Sequence, residues 1–166
     1  MCKASEEKLH SADAYLFLMF RVFDPSGEEV VFQGALDPHT PVAQGWLRAS
    51  HRWLDPARFR PYRPYHTHVE AQPLVPGEVF ELDIEIWPTS IVIPAGYSYR
   101  LTVRGNDYEY NGPTTLSNMN NPMKGCGPFV HDEPLDRPPD VFGGETTLHF
   151  GGGLESHLLL SIIPRK

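Results

Sequence analysis

The chain has 166 residues, 14 basic against 21 acidic, for a formal net charge of −7, with 40% hydrophobic and 11% aromatic content. A single core of that length buries about 70% of the unfolded surface, so no second domain is required. The acidic balance argues against a nucleic-acid surface, which needs clustered Lys and Arg, and 17 Pro with 14 Gly beside so many apolar residues suits a turn-rich all-β domain better than a disordered chain.

The opening MCKASEEKLHS carries charges where a secretory signal would place an apolar core, and residues 1–12 are expected to be frayed. From Asp13 to Phe23 (DAYLFLMFRVF) the chain is aromatic, branched and apolar on both faces through Phe20, as in a strand at the middle of a packed sheet. It is too short to cross a bilayer as a helix, which needs ~20 residues, so no membrane partner is expected. Asp24-Pro25-Ser26-Gly27 is a turn, and Val30 to Phe32 lead the chain back, making residues 14–34 a hairpin. Residues 45–52 (GWLRASHR) read as a short strand. Residues 54–76, with PYRPYHTH, cannot be a central strand because proline lacks the ladder N–H, and read as a draped loop.

Residues 76–103 hold the strongest alternation in the chain. Phe80, Leu82, Ile84 and Ile86 share one face while Glu81, Asp83 and Glu85 share the other. After the turn Pro94-Ala95-Gly96, Tyr97, Tyr99, Leu101 and Val103 alternate with Ser98, Arg100, Thr102 and Arg104, so an acidic face could meet a basic one if the two strands pair. Residues 105–139 show no periodicity and read as a long connection. Thr146 to Phe150 and His157 to Ile163 supply closing strands around Gly151-Gly152-Gly153. The pattern indicates one β-sandwich of jelly-roll or Greek-key type over residues 13–166.

Few residues point to chemistry. His66 and His68 form an i,i+2 pair that an extended segment would aim the same way, as a cupin does with metal ligands. The acidic ligand is then missing at its spacing, and Tyr99 stands where a further histidine should follow Pro94-Ala95-Gly96, so no metal or cofactor is assigned. Gly96-Tyr97-Ser98-Tyr99 starts like a nucleophile elbow but continues as a strand with Arg100 in place of the closing Gly, so no catalytic residue is assigned. The cluster Arg48, Arg52, Arg58, Arg60 and Arg63 is interrupted by Pro and carries Asp55, which suits a solvated or ion-paired loop. Candidate ligand-binding residues are Trp46, Tyr62, Tyr65, His66 and His68, since aromatics beside polar groups can hold a sugar or another small ligand. Cys2 and Cys126 are the only cysteines, and free thiols fit a reducing, cytoplasmic setting.

Four blocks, GWLRASHRWLDP, PYRPYHTHVEAQPLVPGEVFELDIEIWPTSIVIPAGYSYRLTV, GPFVHDEPLDRPPDVFGGETTLHF and SHLLLSIIP, occur in an order that resembles the C-terminal non-catalytic domain of CocE/NonD hydrolases. These are the cocaine-esterase-like and X-Pro dipeptidyl-peptidase relatives. The resemblance implies a galactose-binding-like jelly roll, packed in the whole enzyme on an α/β-hydrolase domain that carries Ser, Asp and His. No triad position has a counterpart in this sequence, so the role implied is structural, with a part in the substrate entrance. The alternative is a free-standing carbohydrate- or small-ligand-binding module. Two departures stand out. Tyr97 follows the Ala-Gly turn where many relatives have His, and only about a dozen residues precede the first strand, where the resemblance implies further strands. A sheet lacking those strands is expected to self-associate through its open edge.

Overall fold

In the computed structural model, which describes residues 12–34, 36–112, 123–127 and 130–164, the sheet is built around its first strand. Strand β1 (Tyr15–Phe23) buries Phe17, Met19 and Phe23 on one face and Leu16, Phe20 and Val22 on the other. Branched and aromatic side chains favour extended backbone, and burial on both faces is what an unbroken apolar run requires.

Both edges of β1 are used. Strand β2 (Glu29–Val30) returns from the hairpin opposite Val22 and Phe23, and strand β3 (Ala43–Arg48) continues along the same edge opposite Tyr15 to Phe20. Strand β4 (Ser98–Arg104) fills the other edge, from Phe17↔Arg104 to Phe23↔Ser98, and every pairing is antiparallel. The hairpin turn forms as its residues dictate. Gly27 takes φ +90°, the Gly27 amide donates to the Asp24 carbonyl (3.0 Å), and the Asp24 carboxylate accepts the Ser26 amide, the Ser26 hydroxyl and the Glu28 amide within 2.9 Å.

The chain forms two compact units, one of residues 15–48 and 84–137, the other of 49–83 with the residues up to Ala14 and those from Pro138 on. The first contains the sheet and a core of Phe17, Met19, Tyr108 and Tyr110, against which Tyr15, Val31 and Trp46 pack. Its connections are clamped by buried Asp37, whose carboxylate accepts the amides of His39 (2.8 Å), Gly125 (2.7 Å) and Gly127 (2.8 Å). The second unit has little regular structure and is held by backbone bonds between distant segments. Ala12 donates to Val141 (3.0 Å) and accepts from Leu74 (2.8 Å), and buried Asp13 accepts the Ser50 amide (2.9 Å). Ala12 is therefore tied down, and the rest of the frayed segment expected over 1–12 lies outside the described residues.

Three sequence expectations are corrected. Residues 80–86 alternate as a strand does but join no ladder. Instead the Trp87 amide donates to the Gln44 carbonyl (2.9 Å), and the Glu85 and Ile86 backbone passes where a side chain at Gly45 would stand. β4 consequently pairs with β1, and the acidic and basic faces do not meet. Arg100 stands opposite Arg21, a like-charge pair offset by Glu29, which binds the Arg21 Nε at 2.7 Å, and by the Phe23 ring, which lies 4.3 Å from the Arg100 guanidinium. Residues 146–150 and 157–163 also form no ladder. Among the described residues of this region the one β pairing is the bridge Gly151↔Leu154, because extended chain becomes strand only where its N–H and C=O groups find a partner edge. Residues 54–76 behave as the loop expected, with two isolated bridges. The connection 105–139, of which 113–122 and 128–129 lie outside the described residues, holds no strand elsewhere and leads into one helical turn, α1 (Pro139–Phe142).

Candidate functional site

The first unit gathers aromatic side chains around one histidine. Trp46 lies on β3 opposite Phe17, half-buried, with its ring centroid 4.9 Å from both Trp87 and His131. His131 packs edge-on against Phe17 at 5.3 Å and is held by Asp107, whose Oδ1 lies 2.8 Å from Nδ1 and whose Oδ2 accepts the His131 amide at 2.7 Å. A carboxylate only accepts, so Nδ1 is the nitrogen that donates in this bond. Arg137 fixes the loops beside it, donating to the carbonyls of His131 (3.0 Å) and Gly105 (2.8 Å) with its guanidinium 5.2 Å from the Tyr15 ring.

A carboxylate-held imidazole is half of a hydrolytic triad, and the other half is a hydroxyl. Among the described residues no serine hydroxyl is hydrogen-bonded to an imidazole. Ser50 is buried with no partner for its Oγ, and Ser98 is exposed at the start of β4. What the geometry shows is that Asp107 holds the His131 ring against Phe17 and Trp46.

The second unit holds the other candidate residues and one the sequence reading missed. Residues 49–55 and 65–72 zip together antiparallel, with Asp55 donating to Tyr65 (2.8 Å), Leu54 bridging His66 and Thr67 donating to Trp53 (2.9 Å). The next bond, from Gln72 to Ser50 (2.7 Å), lies three residues on along one segment and five along the other. His68 takes up the slack with φ +51°, a left-handed conformation rare outside glycine. That kink turns His68 onto His51, with Nδ1 to Nδ1 at 3.2 Å and ring centroids 5.3 Å apart.

His66 is thus not the partner that i,i+2 spacing suggests, although its ring lies 5.9 Å from that of His68. Burial lowers its pKa first, and the neighbouring His68 lowers it further against the opposing pull of Asp83. Its Nε2 is buried with no hydrogen-bond partner. Tyr65 stacks under Arg58, which donates to the phenol oxygen at 2.6 Å, and Tyr62 is 70% exposed on the turn closed by the Arg60↔Arg63 bridge. The arginines here serve the loop, Arg58 reaching Asp55 (3.7 Å) and Arg52 lying 4.3 Å from the Phe80 ring. Trp46 belongs to the first unit and the four other candidates to the second. His51, Asp107 and His131 escaped the sequence reading because their partners are 17 and 24 residues away, across loops with no periodicity.

Residues 5–158 match the family model described as the X-Pro dipeptidyl-peptidase C-terminal non-catalytic domain. The chain belongs to this family. The domain's β-sandwich class agrees with an antiparallel chain that is almost without helix. Similar curated proteins include "Putative serine esterase Mb1866c" of Mycobacterium bovis and "Putative serine esterase MT1883" of Mycobacterium tuberculosis. Each is 33% identical over 124 residues, which is 72% of this chain and 17% of the relative. Two crystal structures of a CocE/NonD family hydrolase from Staphylococcus aureus match at 29% and 28% identity with TM-score 0.58, covering 70% of this domain and 20% of that chain. The domain thus spans about a fifth of those hydrolases' length. Among the described residues no helix is long and apolar enough to cross a membrane, and no group of three or more His, Cys, Asp or Glu is placed to hold a metal ion together.

Proposed function

We propose that the domain is the accessory part of a CocE/NonD-type serine hydrolase, contributing structure and part of the substrate entrance while an α/β-hydrolase domain, in the same chain or a neighbouring one, carries Ser, Asp and His. The observation that carries this reading is the match over residues 5–158 to a domain described as non-catalytic. It agrees with a chain whose described residues bond no serine hydroxyl to an imidazole. Chemistry in the partner domain would form an acyl-enzyme at Ser, with His as base and backbone amides on the oxyanion. The segments 54–76 and 105–139 are the ones long enough to wall an entrance. The isolated domain should neither turn over p-nitrophenyl esters nor react with a fluorophosphonate probe, and labelling at any of its serines would overturn the assignment.

The outer edge of β4 has no ladder partner among the described residues. Open edges pair with other chains, which supports self-association of the isolated domain as a second part of the proposal. Light scattering across micromolar concentrations would read it, and a strictly monomeric mass would remove it.

One observation favours the alternative of a ligand-binding module. Trp87 is 54% exposed beside Trp46, a flat apolar surface of the kind that stacks on a sugar ring. A ligand at 100 times its Kd adds ~2.7 kcal/mol of stability, so a thermal-shift screen against glycans separates the two readings.

A further inference from the structure

We propose that His51 and His68 form a two-imidazole site for a divalent late first-row transition-metal cation, with Zn2+ and Cu2+ as its representatives. The geometry carries the inference. Two nitrogens each bound ~2.0–2.1 Å from one tetrahedral cation lie about 3.3–3.4 Å apart, and the His51 and His68 Nδ1 atoms are 3.2 Å apart. In the metal-free protein that spacing is held by a single proton, one imidazole donating Nδ1–H to the other. A cation entering between them takes both Nδ1 lone pairs once the donor ring shifts to its other neutral tautomer, the proton leaving Nδ1 and returning to Nε2 of the same ring by exchange with solvent.

The scaffold brings the two rings together at the expense of the backbone. His51 ends a single 3₁₀ turn, Ala49–His51, and His68 sits where the paired segments slip register, at φ +51°. Backbone strain of this kind persists only where the surroundings impose it and gathers at binding sites. The bonds on either side, Thr67 to Trp53 and Gln72 to Ser50, hold the backbone that carries both residues. The donor set selects the metal class, since imidazole suits Zn, Cu and Ni while Ca2+ and Mg2+ demand oxygen. His68 is exposed, so water can complete the coordination shell. His66 is left out of it, since no group of three or more His, Cys, Asp or Glu among the described residues is placed to hold one ion together. A site of two protein nitrogens binds weakly and exchangeably, as suits a regulatory or opportunistic cation rather than a resident one.

The test uses the tag-free full chain with Cys2→Ser, titrated calorimetrically with Zn2+ and with Cu2+, and the electron paramagnetic resonance spectrum of the Cu2+ form. One equivalent should bind, with nitrogen hyperfine structure from two imidazoles. His51→Gln and His68→Asn should each weaken binding at least about tenfold and reduce the signature to one nitrogen, whereas His149→Gln, at an exposed position, should change neither. Asn tolerates the left-handed backbone at residue 68, so that variant keeps its fold. No saturable binding, or binding that survives both replacements, would overturn the proposal. The two-nitrogen spectrum of the unsubstituted protein tests it even if a variant misfolds, since a spectrum with one nitrogen or none would count against it.

Discussion

Two apolar stretches, Tyr15–Phe23 and His157–Ile163, carry nearly the same sequence message and end in opposite environments. In the first, Phe17 is 2% exposed and both strand edges are hydrogen-bonded to neighbours. In the second, Ile163 is 90% exposed and no ladder forms among the described residues. Each adjoins a turn that fits the chain. Gly151, Gly152 and Gly153 all take positive φ and close the bridge Gly151↔Leu154 with two bonds of 2.9 and 3.0 Å, yet pairing stops there. A turn and a run of branched residues nominate a strand, while a covered face and a waiting edge make one.

Substitutions that separate the two stretches should do so by large margins. Phe17→Ala opens the core shared with Met19, Tyr108 and Tyr110 and should cost about 3–5 kcal/mol in denaturant melts. A loss below 1 kcal/mol would mean that β1 is not the centre of the sheet. Asp37→Ala strips three backbone amides of their acceptor and should cost at least about 1.5–3 kcal/mol, the range for one hydrogen bond to a charged group. The same variant should loosen protection of the Gly125 and Gly127 amides in hydrogen exchange, and unchanged protection would sink the clamp. Gly45→Ala forces a methyl against the Glu85 carbonyl, a contact of the overpacking kind that costs about 1–3 kcal/mol, and a neutral result would show that residues 84–87 do not cross there. Ile163→Asp, by contrast, should move stability by less than about 0.5 kcal/mol, as at other exposed sites.

The contrast also explains what could be read from the chain. The first hairpin was legible because Asp24, Pro25 and Gly27 carry the turn within themselves, and β1 because its burial on both faces shows as unbroken apolarity. β3 and β4 were legible to within a few residues. The partner of β4 was not, since alternation states that a strand has a greasy face and is silent on which edge it joins. Residues 80–86 show the same gap, since no periodicity encodes the crossing of Glu85 and Ile86 over Gly45. Of the candidate site, Trp46 and His68 were visible by residue type, whereas His51, Asp107 and His131 become neighbours only through loops whose course is set by single hydrogen bonds. The family blocks fared better because they record the order of many such loops at once.

The smallest expected effect distinguishes the two turns themselves. The Asp24 carboxyl is held below the usual carboxylate range, by the Ser26 hydroxyl first and then by the Glu28 amide, both bonding to its ionised form. A group whose folded pKa is depressed contributes stability that is present above the unfolded value, about 3.9, and is lost as pH falls through the folded one. Asp24→Asn should therefore melt below the unsubstituted protein at pH 7, and that gap should close as the pH is taken from about 4 downward. The turn at Gly151–Gly153 is shaped by glycine conformations, all three at positive φ. A gap between Asn and Asp at residue 24 that stays constant from neutral to acid pH would mean that the first turn, too, is held by backbone geometry alone. The advantage of β1 over its exposed counterpart would then have to come entirely from the side chains that cover it.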